Sequence, residues 1–113
     1  MMQIRIIKTP SEGARALIRR RLGYLKDLPE TIDTADAIGL VQGPMIDMVC
    51  AADIAEKYED VEAFDVKGVC PQHMTLLAIF GSTAAVQGAL KEIREKLTPG
   101  SGSTYFSESS RRR

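Results

Sequence analysis

The sequence predicts an α+β protein, an antiparallel sheet with helices packed on it, and three observations predict it. Strand-like and helix-like segments follow one another in the order β-α-β-α-β-β-α. The third and fourth strand candidates are joined directly by a loop, as in a long hairpin. The helical segments are amphipathic or apolar nearly all round, as helices lying on a sheet should be.

Each element has its own signal. Residues 2–8 (MQIRIIK) place Met2, Ile4 and Ile6 at alternate positions, the pattern of a half-buried strand. Thr9-Pro10-Ser11-Glu12 then opens a helix, with Thr9 as cap, Pro10 at the first helical position and Glu12 completing a capping box. Ala14, Leu17, Ile18 and Leu22 recur at helical spacing, and Gly23 is a natural stop. Arg19, Arg20 and Arg21 fall in the last turn, where cations favour the helix dipole, so they are given no function. Residues 23–35 mix Pro29, threonines and acids without a period and read as a connection with room for a short helical turn. Residues 37–41 (AIGLV) read as a strand buried on both faces, with Gly39 where another group approaches closely. Gly43-Pro44 starts a helix to about Tyr58 that is apolar nearly all round, fit to pack closely against a sheet, or against a sheet and a neighbouring subunit, and Cys50 within it reads as a small buried hydrophobe. Strands follow at 61–66 (VEAFDV) and 74–80 (MTLLAIF). Gly81-Ser82-Thr83 caps a last helix with Val86, Leu90, Ile93 and Leu97 on one face. A single domain over residues 1–97 is expected, followed by a tail at 98–113 with linker composition.

Without its first strand and helix, this order is a ferredoxin-like unit that lacks only its final strand. The strand at 2–8 can fill that place from the front of the chain, which makes the arrangement a circular permutation.

Composition excludes several function classes. Fifteen basic and fifteen acidic residues cancel within 113, so no overall field draws the chain to nucleic acid or to a membrane surface. There is no tryptophan, and aromatics are too few for a base-stacking platform. The absence of a signal peptide or a bilayer-length apolar run, with only two cysteines, points to the reducing cytoplasm. The chain has a single histidine, no nucleophile with a base at recognisable spacing and no phosphate-binding glycine loop, which argues against an enzyme.

The loop between the last two strands carries the chemistry. Lys67-Gly68-Val69-Cys70-Pro71-Gln72-His73 sets a thiol and an imidazole beside a proline that pushes Cys70 toward an extended conformation. Cys70 and His73 supply only two of the four ligands that zinc takes, and one loop cysteine cannot hold an iron-sulfur cluster, so a metal here must be shared between chains. The plain alternative is a free thiol in a structural turn with a surface histidine.

Residues 36–97 resemble the bacterial microcompartment shell proteins. AIGLVQGPMIDMVCAADIAEKYEDV is similar to that family's first strand and helix, including Ala51-Ala52-Asp53 followed by Lys57, and AIFGSTAAVQGALKEI is similar to its later strand, glycine turn and second helix. The permuted members move the closing strand to the front in the same way. Gly68-Val69-Cys70-Pro71-Gln72 resembles the G-x-C-P-Q motif of the permuted, iron-sulfur-binding shell proteins of glycyl-radical propanediol compartments.

The resemblance implies a homohexameric tile that packs with other shell proteins in the cytoplasm. Lys57 would lie on the outer edge where tiles meet, and the loop would line a central pore. Cys70 from several subunits would then hold an iron-sulfur cluster, of the four-iron, four-sulfur kind. It leaves His73 without an assigned role, while Gln72 and Lys67 could influence a cluster or a permeating metabolite. The front of the chain lacks the hairpin that forms a small barrel over the pore in some permuted relatives, and the basic tail has no counterpart. Two other readings stand beside this one: a metal-free tile whose pore passes small polar metabolites, and a small ferredoxin-like regulatory or ligand-binding domain in solution.

Overall fold

The two central strands of the sheet are covered on both faces, which is why they are written as nearly unbroken apolar runs. The computed structural model describes residues 2–58, 60–66 and 74–97. Its elements are β1 (Gln3–Lys8), α1 (Glu12–Arg21), α2 (Thr31–Thr34), β2 (Ala37–Pro44), α3 (Met45–Glu56), β3 (Val61–Val66), β4 (Met74–Gly81) and α4 (Thr83–Leu97). The strands form one four-stranded sheet in the order β1-β2-β4-β3, every neighbouring pair antiparallel. Counted from β2, this is the order of a ferredoxin-like sheet, with β1 on the edge that such a unit gives to its closing strand.

Alternation along the strands sorts the core into two layers. Ala37, Val41, Leu77 and Ile79 point to one face and bury against Met48, Ala51, Ile54 and Ala55 of α3 and Val86, Leu90 and Ile93 of α4. Ile38, Ala78 and Phe80 point to the other, where Ile18 and Leu22 from the α1 segment and Ile32 and Ala35 from the α2 segment cover them. Phe64 packs beside Phe80 with ring centroids 5.8 Å apart. Full burial of a side chain such as Phe80 stabilises the fold by about 1.5–3 kcal/mol.

The approach expected at Gly39 is real. A methyl group there would lie 2.9 Å from Val86 Cγ1 and 3.0 Å from Leu90 Cδ1. α4 therefore sits directly on the backbone of β2, and Gly39→Ala is expected to cost about 1–3 kcal/mol through overpacking, read as a lower urea midpoint with an unchanged slope.

Three local expectations are corrected. The cap of α1 is Ser11, whose hydroxyl accepts from the Ala14 N–H at 3.1 Å. Thr9 cannot cap, because its N–H extends the β1–β2 ladder to the Asp36 carbonyl at 2.9 Å and its φ of 54° turns the chain before the helix begins. β2 runs on through Gly43 and Pro44, which pair with Thr75 and Met74, so α3 starts only at Met45. α3 also ends at Glu56, short of Tyr58.

The short helical turn allowed in residues 23–35 is α2, and Arg15 holds it. The Arg15 guanidinium donates to the Ile32 carbonyl at 2.8 Å and to the Ala35 carbonyl at 3.0 Å, satisfying acceptors at the end of α2 that have no helical partner. Arg15→Ala is expected to cost about 1.5–3 kcal/mol and to loosen 23–35 first, seen as faster amide exchange there than in β4. Arg19, given no function above, ties the same layer together by pairing with Asp33 and, at 3.7 Å, with Glu12. These exposed carboxylates raise its pKa.

Candidate functional site

Chain direction divides the molecule into two ends. β2 runs toward Pro44, which pairs with Met74, and β3 runs in the same direction to Val66, which pairs with Leu76. The segment 67–73 therefore leaves and re-enters the sheet at the end where α3 begins. Thr75 at its base lies against Met45, with its hydroxyl 3.9 Å from the sulfur. From there α3 runs back along the sheet for 12 residues, about 18 Å, and ends beside Lys57. α4 starts at that far end and returns toward the loop end, reaching Leu97.

Lys67, Gly68, Val69, Cys70, Pro71, Gln72 and His73 lie outside the described residues, as does the tail at 98–113. The structure does describe what carries them: two adjacent antiparallel strands rooted in both core layers, next to the N-terminus of α3. That terminus has no side-chain cap from Pro44, and Asp47 in the first turn complements its exposed N–H groups.

Lys57 is described. Its Nζ donates to Asp53 Oδ2 at 3.1 Å, one helical turn back, and its N–H continues the helical pattern to the Asp53 carbonyl at 3.2 Å. The side chain is 25 % exposed, so most of it is covered by the protein's own residues. Asp53 and Lys57 thus form one unit at the far end of α3, as far from the loop as the helix allows.

Cys50 is half-buried on α3, less enclosed than a core cysteine. Desolvation, then the charges of Asp47 and Asp53, push its thiol pKa up, which works against the thiolate that metal binding needs. Among the described residues there is no group of three or more His, Cys, Asp or Glu side chains placed to hold a metal ion. The 67–73 segment contributes one thiol, Cys70, to the sequence.

Two surfaces were not read from the sequence. Met45, Ile46 and Val49 stand exposed along the loop-end half of α3, Ile46 at 74 % and Val49 at 62 %. Their signal was available in a helix with no polar face, but which residues stay uncovered depends on how the helix is seated. The second is an open groove of about 370 Å³ between β1 and α4, lined by Ile4, Arg5, Ile6, Gln87, Leu90, Lys91 and Arg94. It joins residues more than eighty positions apart in the chain, and no local pattern foretells it.

An α+β domain with a four-stranded antiparallel sheet in the order β1-β2-β4-β3 and helices on its faces is consistent with the fold of the microcompartment shell proteins. No protein-family model matches the chain, and no curated protein matches it. Solved structures do. The ligand-free structure of the GrpU microcompartment shell protein from Clostridiales bacterium 1_7_47FAA is 46% identical, with 87% of this chain and 94% of that chain covered and a TM-score of 0.64. The ligand-free structure of the GrpU microcompartment shell protein from Pectobacterium wasabiae is 36% identical, covering 81% of this chain and 99% of that one, with a TM-score of 0.61. The chain belongs to the GrpU family of microcompartment shell proteins. Among the described residues no helix is long and apolar enough to cross a membrane.

Proposed function

We propose that this chain is a structural, non-enzymatic subunit of a bacterial microcompartment shell in the cytoplasm, a circularly permuted domain that assembles as a homohexamer around a pore lined by residues 67–73. The observation that carries this reading is the separation of the two ends. The loop springs from one end of the sheet, and Asp53 and Lys57 close α3 about 18 Å away at the other. In a ring with the loop at its axis, Lys57 falls on the rim, where it meets other tiles and other shell proteins.

Cys70 from several subunits would hold an iron-sulfur cluster in that pore. Each chain offers one loop thiol, and a four-iron cluster uses only some of those a hexamer brings together, so binding breaks the ring's symmetry. Neutral Cys50 thiols stay out of this chemistry. When bound, such a cluster supplies one-electron redox chemistry, in keeping with a glycyl-radical compartment. The described residues that flank the Cys70 segment are the paired strands β3 and β4, and the positive end of α3 lies beside Thr75 near their base, a setting that favours an anionic cluster.

Iron and acid-labile sulfide per chain, with a visible spectrum and sedimentation velocity, test this on protein purified without oxygen. The expected result is a brown hexamer holding about four irons per ring. A colourless hexamer would leave a metal-free tile that passes small polar metabolites, and a monomer at all concentrations would leave a ferredoxin-like domain in solution.

A further inference from the structure

The far end of α3 is pressed against two glycines that belong to other elements. Gly88, in the second turn of α4, takes the ring of Tyr58: a methyl group on its Cα would collide with the Tyr58 Oη and stand 2.7 Å from Cζ, so the phenol tip rests on bare helix backbone. Gly81, the last residue of β4, takes the backbone of Asp60, where a methyl group would stand 2.6 Å from the carbonyl oxygen. Asp60 has a φ of 68°, a left-handed turn that sends the chain straight into β3. Lys57 stands directly before these two seats. Its N–H goes to the Asp53 carbonyl at 3.2 Å and that of Tyr58 to the Ala55 carbonyl at 3.0 Å, so both continue the last turn of α3.

We propose that Tyr58, seated in the notch left by Gly88, is a positioning residue for Lys57, fixing the direction in which the end of α3 presents the ammonium to a neighbouring tile. This rests on the shell-tile reading above, with Lys57 on the rim, and adds what aims it. Lysine is a point charge on a flexible stem, so its head has a defined place only when the stem and the backbone beneath it are both held. Asp53 meets the head at 3.1 Å, and the protein's own residues cover most of the stem. The backbone needs a separate hold, because α3 ends at Glu56, just before Lys57, and helix ends fray. The ring of the very next residue supplies it by bearing on a second helix. Apart from proline, glycine is the least favourable residue inside a helix, and its place in the middle of α4 is accounted for by the ring that lies on it.

The test follows edge-to-edge joining of hexamers in the full-length chain, by light scattering against concentration with negative-stain microscopy, for the parent, Lys57→Ala, Gly88→Ala, Tyr58→Ala and Tyr58→Phe. Sedimentation velocity first establishes the hexamer in each. Gly88→Ala evicts the ring and Tyr58→Ala removes it, so each should raise the concentration needed for sheets about tenfold, as Lys57→Ala should. Tyr58→Phe keeps a ring in the seat and should stay within about twofold of the parent. Amide exchange at Lys57 and Tyr58 should quicken in Gly88→Ala and Tyr58→Ala while β4 stays protected. Should Gly88→Ala fail to fold, Tyr58→Ala carries the test alone, because it adds no atoms. Sheets from Tyr58→Ala at the parent's concentration, with Lys57→Ala impaired, would overturn this inference and leave the edge role of Lys57 intact. Loss of the hexamer itself in Tyr58→Ala would also overturn it, since the seat would then be core packing only. Sheets from Lys57→Ala at the parent's concentration, or none from the parent, would overturn the edge reading and this inference with it.

Discussion

Val49→Arg is expected to give a folded chain that no longer assembles. Val49 is 62 % exposed and lies on the side of α3 opposite Met48 and Ala51, so an arginine there leaves the core untouched. A substitution at such a position usually changes the stability of a single chain by less than about 0.5 kcal/mol. If the uncovered strip of α3 packs on a neighbouring copy in the proposed assembly, the same guanidinium is enclosed there, at a cost of roughly 3–5 kcal/mol at each contact. Sedimentation velocity should show monomer where the parent chain forms rings, with a far-ultraviolet melt that scarcely moves. Ile46→Arg should do the same, and Val49→Ala should weaken assembly far less because it removes only apolar area. A Val49→Arg chain that still forms rings would place α3 outside the contact.

Cys70→Ala is expected to take iron from about four per hexamer to background while the hexamer persists. The reason lies in the supply of thiolates. Cys50, the other cysteine, sits half-buried beside Asp47 and Asp53 with its thiol pKa raised, so it stays protonated at neutral pH. Cys50→Ala should accordingly keep the full iron and sulfide content. Loss of iron from Cys50→Ala with retention in Cys70→Ala would reverse the ligand assignment. The visible charge-transfer band, followed in both variants under anaerobic conditions, separates a bound cluster from adventitious iron.

Most of the fold could be read from the residues because its signals are local and period-specific. Residues 37–41 and 74–80 are apolar on both alternations, and that requires layers above and below, as the two core clusters supply. Gly39 announced a close approach, and the side chains of Val86 and Leu90 make it. The N-terminus of α1 was misplaced because Thr9 and Ser11 are both capping residues by type, Ser the stronger, and only two positions apart. The choice between them depends on whether the residue's backbone is already committed to a strand two elements away, at Asp36.

The candidate site divides in the same way. The cysteine of the β3–β4 connection could be picked out from residue types, whereas the edge role expected of Lys57 came from the family resemblance and not from its own surroundings in the chain. What the chain order alone decided is the inventory: four strands, the helices between them and a cysteine-bearing connection where β3 turns into β4. What required three dimensions is adjacency. The β1 edge joining β2, the guanidinium of Arg15 reaching Ile32 and Ala35, and the groove between β1 and α4 all pair residues far apart in the chain. Local periodicity tells which side of an element is apolar. Only packing tells which part of that side the protein's own core covers and which part it leaves exposed.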